Sequence, residues 1–245
     1  MRPVLFRWRK LTVWSYPAML YVGLVFGVAA GNIAAHVAGL NALRAYVATL
    51  LLLVPALAGA RMLHVASKWN VYRHDLRRIW NRREGGLMMY GSVPLMLSFS
   101  VPLLRMLHLH FGVFWDVSTF TILVGMMFTR VGCFLNGCCA GRPSKSWLAV
   151  YLPNTRGVWQ KRIPNQGLEA AAATLLLLSA ILIWRRMPFP GALFLTVMMG
   201  YSGVRLALEC AREREAKARE FWIAHTVSAA LLLTSISVLA LNWRR

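Results

Sequence analysis

Thr129–Ser144 reads TRVGCFLNGCCAGRPS, and this stretch decides how the rest of the chain is understood. It closes an apolar run that begins near Val113. Arg130, Asn136 and three cysteines stand there among Gly132, Gly137 and Gly141. A helix face turned to hydrocarbon has no use for that mixture. Charged residues near bilayer depth are costly and mark substrate paths or reaction sites. Glycines at such a place let backbone, ligand and neighbouring helix approach closely.

Outward from this stretch, apolar runs long enough to cross a bilayer recur along a chain of 245 residues that is 58% hydrophobic. They predict helices at Pro17–Gly39, Leu43–Ala66, Glu84–Leu107 (with Pro94 and Pro102 as kink points), Val113–Asn136, Gly167–Trp184, Ala192–Cys210 and Phe221–Asn242. The expected fold class is therefore all-α: a polytopic membrane protein of about seven transmembrane helices, with residues 1–245 forming a single integral-membrane domain. The apolar stretch from Pro17 is too long for the h-region of a signal peptide and reads as the first membrane helix.

The net charge of +20 would suit nucleic acid, but no soluble fold is left over to bind it. Basic loops on a membrane protein meet anionic headgroups, or simply fix its orientation. Between the second and third helices, Asn70–Arg83 sets Val71, Leu76, Ile79 and Trp80 at helical spacing among basic residues. That predicts an interfacial amphipathic helix, with a solvated basic loop as the alternative. Cys139–Asn165 is a polar connection with Pro143, Pro153 and Pro164, long enough to cover a site. In Ala211–Glu220, Glu213 with Lys217 and Glu215 with Arg219 predict a solvated extension of the sixth helix. The cysteines do not show a zinc-site spacing with histidine nearby, so no metal is expected, and Cys133, Cys138 and Cys139 read as packing or lipid-lining thiols.

Helices joined by short turns alternate in direction. Arg61, Arg130 and Arg205 then fall near one membrane level, on the side of the N-terminus, together with Tyr16, Tyr90, Gln166 and Glu169. The alternative is that polar residues gather at helix ends as snorkelling anchors. Arginine suits a phosphodiester ligand, because its planar fork binds phosphate oxygens bidentately and keeps its charge. Tyr201, Arg205 and Glu209 form a polar stripe in which Glu209 would hold the fork, or merely neutralise it.

Arg130, Gly132, Asn136, Gly137, Gly141 and Arg142 resemble the signature of prolipoprotein diacylglyceryl transferases, with Thr129, Cys133 and Cys138 departing from it. Four further segments resemble the same family in the same order. They are Ser15-Tyr16-Pro17, Gly59-Ala60-Arg61, Pro164–Glu169, and Tyr201–Arg205 with Glu209. The resemblance implies a seven-helix enzyme of the bacterial cytoplasmic (inner) membrane. It would take diacylglycerol from phosphatidylglycerol, form a thioether on the lipobox cysteine of a prolipoprotein, and release glycerol phosphate. Its partners would be that lipid, the prolipoprotein signal peptide and the bilayer, with no nucleic acid and no cofactor. By resemblance Arg130 and Arg205 are catalytic, while Tyr16, Arg61, Asn136, Gly141, Arg142, Gln166, Glu169 and Glu209 bind substrate.

Two departures stand out. Tyr90 occupies the place of the family's histidine, the group expected to deprotonate the acceptor thiol. A tyrosine with a pKa of about 10 is a poor base at neutral pH. Nearby arginines would have to depress it, or His64 would substitute, or the step needs neither residue. The second departure concerns orientation. Nineteen Lys and Arg lie on the side of the N-terminus against six on the other, which places that side in the cytoplasm, whereas the family's site faces outward. Headgroup binding gives those basic residues a second reason to be there. Three other readings stay open: a related transferase with a different acceptor, a lipid-binding or assembly relative without catalysis, and a transporter whose arginines bind an anion.

Overall fold

The structure, a computed structural model, describes residues 4–8, 11–81, 88–154, 157–212 and 218–242. Among them, six helices are long and apolar enough to cross a membrane, and a seventh apolar helix is shorter. They are α1 (Ser15–Val37), α2 (Ala42–Ser67), α5 (Phe111–Asn136), α6 (Asn165–Ile183), α7 (Ala192–Cys210) and α8 (Ala218–Asn242), with α4 (Ser92–Met106) as the short one. The polytopic all-α class stands. Large apolar side chains such as Tyr21, Val25, Val54, Leu175, Leu182 and Leu233 are exposed along these helices, as lipid-facing positions should be. At 15 residues, α4 is about 22 Å long, short of the roughly 30 Å hydrocarbon core. Pro94 lies in its first turn, where a missing N–H costs little, so only Pro102 is interior.

The central element is α5. Helix α1 packs along it through Gly23, Gly27 and Gly31, spaced four apart. A Cβ on Gly27 would sit 2.6 Å from the Thr121 carbonyl oxygen, so only glycine allows this approach. On its other faces α5 meets α6 and α7, and Leu123, Ala173 and Leu193 are fully buried between them. The start of α7 is capped from outside its own sequence. Asp116 of α5 accepts hydrogen bonds from Gly191 N (2.7 Å) and Phe194 N (3.0 Å), which explains a buried carboxylate on an apolar helix.

Three connections carry structure that hydropathy does not show, and one of them departs from the expectation. Residues before α1 form a hairpin, β1 (Val4–Trp8) with β2 (Leu11–Trp14), whose second strand runs directly into the helix at Ser15. The expected amphipathic helix over 70–83 is helical only in pieces, α3 (Trp69–Tyr72) and a 3-10 turn at Leu76–Trp80. Asp75 breaks it by accepting from Arg77 N at 3.0 Å, the local competition that makes aspartate a poor helix-interior residue. The long connection after α5 carries a hairpin of β3 (Val150–Pro153) and β4 (Trp159–Arg162). The expected helix start at Glu84-Gly85-Gly86, and the ion pairs expected of Glu213 and Glu215, lie outside the described residues.

Candidate active site

Three membrane helices and the entry to a fourth place their polar side chains at one point. Arg130 (α5), Glu169 (α6) and Arg205 (α7) are all buried, between 2% and 7% exposed. Glu169 bridges the two arginines. One oxygen is ion-paired with Nη2 of Arg130, and the other accepts from Nη1 of Arg205 at 2.9 Å. Arg205 uses its whole fork: Nη2 donates to Glu209 at 2.5 Å and Nε to the Tyr90 hydroxyl at 3.1 Å, with the guanidinium 5.9 Å from the Tyr90 ring centre. Glu209 also meets Arg212 at 3.4 Å, and the Tyr90 hydroxyl lies 3.3 Å from the Ser228 hydroxyl of α8.

Two carboxylates thus offset two buried guanidiniums, which makes the burial tolerable. Arg212 leaves the cluster with an excess of positive charge. Nε of Arg130 is buried without a hydrogen-bond partner among the described residues. The Tyr201 hydroxyl, within electrostatic range of Arg130, is also buried without an aligned partner among them. The site therefore has unused donors beside an arginine pair.

Close backbone contact brings Tyr90 in. A Cβ on Gly59 would sit 2.2 Å from the Gly91 oxygen, and the reverse distance is the same, while Met88 N donates to Ala60 O at 3.0 Å. Gly59 and Gly91 thus let the 3-10 turn Met89–Gly91 lie directly on α2. Arg61 and His64 face a different place. Arg61 donates to the carbonyls of Ile79 (3.0 Å), Arg78 (3.1 Å) and Asn81 (3.3 Å) and stacks over Tyr72 at 5.6 Å. The buried His64 ring meets Tyr72 edge-on at 6.2 Å.

The end of α5 forms a second cluster beside the arginines. Gly137 takes the left-handed conformation (φ 73°) that closes the helix, and Cys139 does too (φ 64°), unusually for a side-chain-bearing residue. The result is that the Sγ atoms of Cys133, Cys138 and Cys139 all lie within 4.8 Å of one another. The Cys139 thiol is held below its ordinary pKa by hydrogen bonds from Cys133 and Cys138, and then by Arg212 and Arg130. Gln166 Nε2 donates to the Cys138 carbonyl at 2.6 Å, and the Asn136 side chain touches Cys138. Tyr16 lies within electrostatic range of these sulfurs and of Arg130. Gly141 is wedged between Ile163 O and Ala211 O, 2.7 and 2.9 Å from where its Cβ would be, and the exposed Arg142 is tied there by its backbone N to Ala211 O. Ser228, Arg212 and the capping Asp116 gave no distinguishing signal in the sequence, because each acts through a partner from a distant helix or the far side of a turn.

A multi-pass membrane protein that buries an arginine–carboxylate cluster at its helix ends carries the mark of a functional site within the membrane. A family model described as prolipoprotein diacylglyceryl transferase matches residues 3–241, and the chain belongs to that family. The phosphatidylglycerol–prolipoprotein diacylglyceryl transferase of Dehalococcoides mccartyi is 27% identical over 192 residues, 76% of this chain and 72% of its own. Enzymes of the same name from Clostridium kluyveri (28% over 138 residues, 56% and 54%) and Idiomarina loihiensis (31% over 134 residues, 54% and 50%) are also similar.

Proposed function

We propose that this protein transfers a diacylglyceryl group from phosphatidylglycerol to the cysteine thiol of a prolipoprotein signal peptide, in the bacterial cytoplasmic membrane. The observation that carries the reading is Glu169 holding Arg130 and Arg205 on one carboxylate, deep in the chain and at a common level. Two guanidiniums fixed about one point set their charge, and the N–H groups the carboxylates leave over, against the two free oxygens of a phosphodiester. Their charge meets the electron pair that moves onto phosphate oxygen as the glyceryl carbon–oxygen bond breaks.

The remaining roles follow from position. Nε of Arg130 and the Tyr201 hydroxyl supply donors for the phosphate without breaking the Glu169 bridge. Glu209 and Glu169 hold the Arg205 fork. Tyr90 completes that hold and is a modest contributor to thiol activation. Gln166, Asn136 and Gly141 shape the wall between the arginines and the thiol cluster, and Tyr16 lines its mouth. Arg142, exposed beside this wall, offers the headgroup a charge. Arg61 works as a positioning residue, clamping the carbonyls of the chain that leads towards Tyr90, and His64 packs within the same clamp.

The test is to incubate purified protein with phosphatidylglycerol vesicles and a lipobox peptide and to look for the thioether by mass spectrometry. Product is expected. Lipid binding without product would replace this reading with that of a non-catalytic relative.

A further inference from the structure

The three clustered cysteines are not needed by the phosphate chemistry above. Cys133 is one helical turn beyond Arg130, at i+3, so it shares that residue's face of α5. Cys138 and Cys139 fold back onto it through left-handed positions at Gly137 and Cys139, and the Cys138 N–H bonds the Cys133 carbonyl at 3.1 Å. A non-glycine residue in that region is strained and persists only where the surroundings insist on it. Here the outcome of that strain is to turn a third sulfur towards the other two. Sulfurs bound at about 2.3 Å around one tetrahedral zinc stand roughly 3.8 Å apart. The observed spacing, within 4.8 Å for every pair, is reached from there by small side-chain rotations.

We propose that Cys133, Cys138 and Cys139 bind a thiophilic divalent cation, zinc in the first instance, whose fourth position takes the acceptor thiol. Sequence spacing alone speaks against a metal, since it shows three cysteines crowded in seven residues and no histidine among them. The fold supplies what the spacing lacked. Cys133 is buried while Cys138 and Cys139 are partly exposed, so the cluster has one closed side and one open side. Three thiolates around a dication leave one negative charge, and the neighbouring Arg130 and Arg212 offset it. An open coordination position is the mark of a catalytic metal site and not of a structural one.

The proposal rests on the transferase reading and supplies the group that Tyr90 cannot. On binding the cation, the three cysteines release their protons to water. The acceptor thiol then enters the fourth position and likewise gives up its proton, because coordination deprotonates a thiol outright. Its sulfur attacks the glyceryl carbon that bears the phosphate ester. The carbon–sulfur bond forms as the carbon–oxygen bond breaks, and the electron pair leaves with glycerol phosphate towards Arg130 and Arg205. No electron is gained or lost overall. The Cys138 carbonyl, held by Gln166 one turn before Glu169, ties the thiol cluster to the arginine pair.

The experiment uses the whole detergent-solubilised protein. Zinc content is measured, and cobalt(II) is exchanged in to read thiolate-to-metal charge-transfer absorption. Stoichiometric metal and an intense band are expected, with the band shifting when a lipobox peptide is added but not with its cysteine-to-serine counterpart. Cys133→Ser and Cys139→Ser should each weaken metal binding more than about tenfold. The control Cys210→Ser, at an exposed thiol away from the cluster, should bind as wild type does. Removing the metal should lower the transfer rate at least about tenfold, with zinc restoring it. The wild-type band keeps the test decisive even if a variant fails to fold. Absence of bound metal and of the band, or a metal-free enzyme as fast as the loaded one, would overturn the proposal while leaving the arginine site intact. Metal and peptide thiol bound with no thioether formed would uphold the site and sink the transferase reading instead.

Discussion

Replacing Arg205 by lysine keeps a positive charge at the centre of the site and removes only its geometry. The arginine serves three partners from three nitrogens: Tyr90 at 3.1 Å, Glu169 at 2.9 Å and Glu209 at 2.5 Å. Lysine brings one nitrogen on a flexible stem and cannot reach all three. Hydrogen bonds to charged groups are worth about 1.5–3 kcal/mol each, so losing two of them predicts a deficit of at least ~3 kcal/mol. Expressed in the transition state, that is a fall of about a hundredfold or more in kcat/KM. The charge balance with Glu169 and Glu209 survives, so the variant should still insert and purify. The assay is transfer from phosphatidylglycerol vesicles to a lipobox peptide, run beside a thermal unfolding curve. Tyr90→Phe provides the graded comparison. It deletes one contact to Arg205 and should cost about tenfold, slowing transfer without ending it. An Arg205→Lys enzyme within about threefold of wild type would show that the fork is not what the site uses.

Arg130→Ala should abolish transfer and leave Glu169 with one partner, so we expect a lowered unfolding temperature in a protein that still reaches the membrane; full activity at normal expression would remove Arg130 from the phosphate site. Gly59→Ala drives a Cβ to within 2.2 Å of the Gly91 oxygen, and the displacement of Tyr90 should cost roughly 1–3 kcal/mol of stability together with activity, measured in the same two assays. Asp116→Ala uncaps α7 on the membrane face away from the arginines, so stability should fall by about 1–2 kcal/mol while KM and kcat per folded molecule stay near wild type. Arg61→Ala should raise KM or lower kcat through loosening of the 76–81 turn, and increased proteolysis or hydrogen exchange confined to that segment would mark it as a positioning residue.

By itself the sequence determined the membrane class and the helix inventory, because the length of an apolar run against bilayer thickness is a one-dimensional property. Helix α7 falls on the expected bounds at both ends, and α5 ends at Asn136 as expected, since Gly137 can turn left-handed where other residues resist. Hydropathy also showed that Arg130, Arg205, Glu169 and Tyr90 are misplaced in an apolar setting. Which of them meet depends on the rotation of each helix and its choice of neighbour, and those are set by packing between segments far apart in the chain. Only the tertiary structure put one carboxylate between two arginines, sent Arg61 and His64 to Tyr72, and gave Asp116 to the end of another helix. The thiol cluster shows the same division. Its three cysteines are plain in the sequence, but their meeting depends on the backbone turning left-handed at Gly137 and again at Cys139. The first turn is glycine's ordinary freedom, and the second had to be imposed on a residue that resists it.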